Sequence, residues 1–387
     1  MLRMGKGLFR RSPVRAAAIL VLCIATVSPL ATAAAPAADA AKHYVCPPCG
    51  LPCDTKVFDK PGTCPTCGMA LVDQDAVAAD TRTRKKVALL IFTGVQIIDY
   101  TGPYEIFGAA GFDVYTVAET RDPITTAMGM TVVPKYSFAD APQPDVVVVP
   151  GGGIQAARNS AATLQWITDT TARAEHTMSV CNGAFLLAGA GLLDGLTATT
   201  TSGRIDQLRT EYPKVHVVDD RRFVDNGKII TTGGLSSGID GALHVVSVML
   251  GRGEAQQTAL AEEYDWRPSS GFARASLADR NIPEVDVDGL GKWKIERTEG
   301  GTDRWEVTFQ GTSDLTAAQL MERLGRELAT KGKWVKVETA GTRSSANEST
   351  WRFTGRDGRA WTATLTIQPE AGTKSRYTAN LALSRLG

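Results

Sequence analysis

Four stretches of this chain, "KKVALLIFTG", "FDVYTVAE", "PDVVVVPGGG" and "HTMSVCNG", are short and almost unbroken apolar runs. A strand apolar on both faces has to be covered on both faces, which is how parallel strands sandwiched between helices read in sequence. Helical patterns lie between the runs: "TGPYEIFGAAG", "AATLQWITDTTARAE", "AFLLAGAGLL" and "SGIDGALHVVSVMLG". Alternating strand and helix from about residue 85 to 266 predicts an α/β domain with a mostly parallel sheet. Functional residues in such sheets gather at the carboxyl ends of strands. Three loops meet that criterion: 94–103, 150–153 and 181–183.

The whole chain, 387 residues, is too long for one ordinary domain. Residues 1–40 open with Arg3, Lys6, Arg10, Arg11 and Arg15, continue through an apolar run from Ala16 to Leu30, and end in Ala-x-Ala sites at Ala33 or Ala40. That order is an export signal, and it places the mature protein outside the cytosol, in the periplasm. The alternative is an uncleaved membrane anchor. A Cys-rich stretch, 43–72, follows; a loop-rich connector, "RPSSGFARASLADRNIPEVDVDGLG", joins the α/β region to a last domain, 292–387. That domain reads as one helix, "DLTAAQLMERLGRELATKG", on a small antiparallel sheet whose hairpin turns at "GRDG". Five of the seven tryptophans fall there, as core or as an aromatic binding face. A net charge of +1, without a basic cluster or helix-turn-helix pattern, argues against nucleic-acid binding.

In the Cys-rich stretch, Cys46-x-x-Cys49 and Cys64-x-x-Cys67 stand fourteen residues apart, each pair in a Pro/Gly-rich turn. Two such knuckles bring four thiolates to one ion, Zn²⁺ or another thiophilic metal. A disulfide staple is the alternative, since export favours oxidation. Cys53 is extra: a spare ligand, a redox partner, or neither. "PGTCPTCGMAL" resembles the second half of the small heavy-metal-binding domain, while the first half departs from it.

Cys181 ends a strand and opens a helix, with Ser179 and Gly183 two positions away on either side. Small neighbours around a strand-to-helix turn are the pattern of a nucleophile elbow. The following helix end would favour thiolate. The alternative is a small buried cysteine filling a tight turn. Asp99, just before "YTGPYEIFG", reads as a helix N-cap.

At these residues the chain resembles the ThiJ/PfpI superfamily, through "LLIFTGVQIIDYTGPYEIFG", "DVVVVPGGG", "SVCNGAFLLAGAGLLDGLTATTT" and "GGLSSGIDGALHVV" in order. The resemblance implies a class I glutamine-amidotransferase-like, flavodoxin-like fold. It looks like the isonitrile hydratases and the ligand-binding halves of certain transcription regulators. It places the elbow nucleophile on Cys181, its acidic partner on Asp99, and oxyanion-hole glycines on Gly152 and Gly153. The isonitrile hydratases carry a Thr after the cysteine, where this chain has Asn182. Many relatives place a His where this chain has Thr201. A homodimer is implied, and no cofactor for catalysis.

The expected chemistry is addition of Cys181 to a small electrophile. Asp99 would hold a proton beside a thiolate, and the N–H groups of Gly153 and Asn182 would hold developing negative charge. The rival expectations are a ligand- or metal-sensing protein without turnover and a redox or stress-protective protein.

Overall fold

The structure is a computed structural model that describes residues 42–47, 52–75, 77, 84–270, 272–337, 347–373 and 375–387. The export-signal reading and Cys49 lie outside these residues. Among the described residues no helix is long and apolar enough to cross a membrane. The chain divides into two compact units, Met1–Ala78 and Ala79–Gly387.

The first unit holds the Cys-rich stretch. Tyr44–Val45 pairs with Val57–Phe58 on one side and Val72–Asp73 on the other. Its core is Cys46, Cys53 and Cys64, packed by Phe58, Cys67, Met69 and Leu71. So little apolar surface cannot hold a fold alone.

In the second unit the four apolar runs become β1 (Lys86–Leu90), β2 (Asp113–Ala118), β4 (Val146–Val149) and β5 (His176–Ser179). Three shorter strands complete the sheet: β3 (Tyr136–Ser137), β6 (Phe223–Asp225) and β7 (Ile229–Thr232). The order is β6-β7-β5-β4-β1-β2-β3, all parallel except the β6–β7 hairpin. Every residue of β4 is buried, as its unbroken valines require. Helices α1 (Ile97–Ala109) and α4 (Ser236–Leu250) cover one face, and α2 (Ala161–Arg173) and α3 (Ala184–Gly189) cover the other. The helix α1 starts four residues before the predicted Thr101 and runs through Pro103.

The seat of α4 positions the site. A Cβ on Gly241 would lie 2.4 Å from Thr232 Cγ2 and 2.9 Å from Met178 Sδ, and one on Gly238 would lie 2.8 Å from Val180 Cγ1. Only glycine lets the helix approach β5 and β7 this closely. Its leading loop, Gly233–Leu235, therefore sits above the end of β5.

The C-terminal region is the expected antiparallel sheet with one helix. Its strands β8 (Lys292–Gly300), β9 (Arg304–Thr312), β10 (Val335–Lys336), β11 (Glu348–Thr354), β12 (Ala360–Pro369) and β13 (Arg376–Arg385) lie in the order β8-β9-β13-β12-β11-β10. Helix α5 (Ala317–Gly332) packs on the sheet and opens with a Thr316–Gln319 capping box. Trp334, Trp351 and Trp361 are buried in the core between them, so these three settle the tryptophan question in favour of core. The "GRDG" turn joins β11 to β12, and its Arg356 donates to Asp206 of the α/β domain at 2.6 Å.

Candidate functional site

Cys181 stands at the turn between β5 and α3 with φ 58°, a left-handed conformation uncommon outside glycine. Its N–H donates to the Gly233 carbonyl at 3.0 Å, and its own carbonyl accepts from Thr200 Oγ1 at 2.8 Å. Both bonds hold the strained turn in place. The small neighbours are obligatory, as the elbow pattern requires. A Cβ on Gly183 would lie 2.1 Å from the Val149 carbonyl oxygen, and one on Gly151 would lie 2.8 Å from Cys181 Cβ.

Asp99 lies in the first turn of α1 and is fully buried. It caps nothing: the N-cap is Gln96, which makes no side-chain cap bond. Instead Asp99 Oδ2 accepts from the Gly151 N–H at 3.2 Å, and Oδ1 accepts from the Leu235 N–H at 3.1 Å. The Cys181 thiol also bonds to the carboxylate. The loops ending β4 and β7 thus aim Asp99 at the sulfur. Leu235, like Cys181, has a left-handed φ, 56°. Backbone strain at two non-glycine residues of one site is typical of functional constellations.

Burial pushes Asp99 up to about 6, although its three hydrogen bonds pull the other way. Burial also pushes the Cys181 thiol up to about 12, and the charge of Asp99 adds to the rise. The Asn182 N–H and the Thr201 hydroxyl, both bonded to the sulfur, act against it. Both rises share one cause, the cost of placing charge in a buried site, so the pair disfavours carrying two charges at once and keeps one proton between sulfur and carboxylate. The helix behind the elbow spans only Ala184–Gly189, and its end effect is too weak to overcome desolvation.

The predicted oxyanion donors are also corrected. The Gly153 N–H is taken by the Gly94 carbonyl at 2.7 Å. The Gly152 N–H donates to Asn182 Oδ1 at 2.7 Å, and Asn182 Nδ2 donates back to the Gly152 carbonyl at 2.9 Å. Asn182 is thus a clamp that fixes the 150–153 loop, with its backbone N–H aimed at the sulfur. Thr201, Gly234 and Leu235 complete the site and were not among its predicted members. The Gly-Gly after "IITT", repeating the "PGGG" ending of β4, is the signal that marks Gly234 and Leu235. The histidines of this domain bond elsewhere or face solvent: His176 to the Gly227 carbonyl, His244 to Asp225, with His216 exposed.

A second constellation lies in the Cys-rich unit. Cys46, Cys53, Cys64 and Cys67 present sulfurs all within 4.8 Å of one another. Four thiolates bound tetrahedrally at about 2.3 Å from Zn²⁺ lie about 3.8 Å apart, so the set fits one thiophilic ion. None of the five described cysteines is in a disulfide, and Cys46 Sγ and Cys67 Sγ are 3.2 Å apart. Burial pushes the Cys46 thiol up. Burial alone would raise Cys64 too, but the N–H groups of Cys67 and Thr66 outweigh it and hold that thiol below its ordinary range. Gly68, at φ 78°, closes this knuckle, with its N–H on the Cys64 carbonyl. Cys53, from the turn Pro52–Thr55, supplies the fourth sulfur; the sequence alone left its role open.

Residues 85–247 match the DJ-1/PfpI family, and residues 43–74 match the heavy metal binding domain. An isonitrile hydratase of Pseudomonas putida is 36% identical over 181 residues, 46% of this chain and 78% of its own length. Protein DJ-1alpha of Drosophila melanogaster is 26% identical over 191 residues, 48% of this chain and 86% of its own. Among solved structures, a ThiJ/PfpI family protein from Pseudomonas syringae is 33% identical with a TM-score of 0.45, over 48% of this chain and 78% of its own.

Proposed function

The chain belongs to the DJ-1/PfpI family, and on that premise we propose that it is an exported, periplasmic cysteine-dependent enzyme of the isonitrile-hydratase type. The observation that carries this reading is the buried Cys181–Asp99 pair, in which one proton is shared between a strained elbow thiol and a carboxylate. Cys181 is the nucleophile and Asp99 the general base. A base with a value near 6 is ionised at neutral pH yet strong enough to receive a proton.

The reaction balances as follows. As sulfur bonds to the isonitrile carbon, the thiol proton passes to Asp99 and then to that carbon, leaving a thioimidate, R–N=CH–S. Water adds to the same carbon. The C–S bond breaks, one water proton goes to nitrogen and the other returns to sulfur, and an N-substituted formamide leaves. The Asn182 N–H and the Thr201 hydroxyl steady the sulfur while it carries charge. With no histidine at the site, this shuttle rests on Asp99 alone.

Cys46, Cys53, Cys64 and Cys67 hold a metal ion in the N-terminal unit, and Zn²⁺ suits their chemistry. The ion's contribution there is to cross-link a unit with little core of its own.

The test is turnover of the purified protein on a panel of small isonitriles and 2-oxoaldehydes, with product followed by mass. Turnover that vanishes in Cys181→Ala and falls by about a hundredfold or more in Asp99→Asn is expected. Full activity in Cys181→Ala would end the proposal. Tight binding of panel members without turnover would favour the sensing role, for which Thr201 in the place of the family's His is the supporting observation.

A further inference from the structure

Beside the elbow a cavity of about 410 Å³ opens, within the range that takes a small molecule. Its inner end is Thr201 and Gly234. Both flank the nucleophile: a Cβ on Gly234 would lie 2.8 Å from Thr201 Oγ1 and 3.4 Å from the Cys181 sulfur. Its outer wall comes from outside the α/β domain: Phe272, Ala273 and Arg274 of the connector.

That wall is fastened on both sides. The Phe272 ring lies 5.5 Å from the Arg222 guanidinium of the α/β domain. Arg274 makes two bonds to Asp279, at 2.8 and 2.6 Å. Arg280 donates to the Ser202 carbonyl, next to Thr201. From the C-terminal domain, Arg356 donates to the Arg280 carbonyl at 2.9 Å and to Asp206 at 2.6 Å. The C-terminal domain therefore braces the connector against the mouth of the site.

The charges around the cavity are informative. Three guanidiniums border it, and each already has a carboxylate of this chain: Arg221 with Asp220, Arg222 with Asp240, Arg274 with Asp279. The remaining charge on the wall is Asp219, and Asp99 lies behind the sulfur. An entering anion meets Asp219 on the wall and three guanidiniums that already have carboxylate partners, with the buried Asp99 beyond the sulfur. A neutral polar molecule meets threonine and serine hydroxyls and backbone.

We propose that this cavity is the substrate chamber, that it admits small neutral electrophiles and rejects anionic ones, and that Phe272 of the connector sets the size limit. The proposal rests on Cys181 being a reachable nucleophile. It also gives the C-terminal domain a function, as the brace of the chamber's outer wall.

The experiment needs no known substrate. Label the full chain and its Phe272→Ala variant with iodoacetamide, iodoacetate and the bulkier N-phenylmaleimide. Read the rate at Cys181 by peptide mass spectrometry, each normalised to free glutathione. The expected result is a preference for iodoacetamide over iodoacetate about tenfold beyond that of glutathione. Phe272→Ala should speed N-phenylmaleimide several-fold and leave iodoacetamide unchanged. A reagent order equal to that of glutathione, unmoved by the substitution, would overturn the chamber and leave Cys181 standing as an accessible thiol. No label at Cys181 in either protein would overturn both the chamber and the nucleophile.

Discussion

Asp99 is a carboxylate placed where carboxylates are least stable, and that gives it a thermodynamic signature apart from activity. Its value in the folded protein, about 6, stands above the ordinary range of about 4. Its contribution to stability is therefore fully present below about pH 4 and is lost as pH rises through about 6, up to about 3 kcal/mol. Asp99→Asn should flatten this part of the stability–pH curve. The absolute effect near neutral pH is smaller, because an amide accepts from only one of the two N–H groups that hold the carboxylate, and the other is left unpaired. Thermal melts of both proteins from pH 4 to 8 measure this. Activity should run the opposite way, rising as the carboxylate ionises through about pH 6. Cys181 was legible in the sequence because an elbow needs small neighbours at fixed spacing, and Asp99 through the family resemblance alone. The rise of both groups was not, because burial decides it. Nor was the Asn182 clamp, whose partner Gly152 is 30 residues away.

At the scale of elements, the four central strands and the helices between them followed from apolar run length and period. The edge was harder. Strand β7 carries Gly233 to Leu235 to the site, yet "RRFVDNGKIITTGG" is half polar and went unread as a strand. Its hairpin signal, Asn226-Gly227, was present. Thr231 and Thr232 are buried here, so polarity alone misleads. The dependence of the site on how closely α4 packs is testable. Gly241→Ala puts a methyl against Thr232 and Met178 and should cost about 1–3 kcal/mol. Because α4 carries Leu235, Cys181 labelling should also change. A variant as stable as the wild type by denaturant titration would contradict this packing.

At the scale of the molecule, two compact units each carry a cysteine constellation with a different chemistry. In one, four sulfurs converge with almost no apolar core; in the other, a single sulfur meets a carboxylate within a large one. The first was legible as paired knuckles, but Cys53, which lies outside any Cys-x-x-Cys pair, joins the cluster only through the fold. Chelation should expose the four thiols of the first unit to a thiol reagent and lower protection from hydrogen exchange over 43–74, while protection over 85–247 holds. Loss of protection in both regions would contradict separate roles. The central claim concerns Cys181, and its most direct test is to mix the protein with a small isonitrile, quench in acid within the first turnover, and weigh the Cys181 peptide. A mass increase equal to one isonitrile, found on Cys181 and formed more slowly in Asp99→Asn, is the expected result. Formamide produced by the wild type while the Cys181 peptide remains unmodified at every quench time, and produced equally by Cys181→Ala, would contradict it.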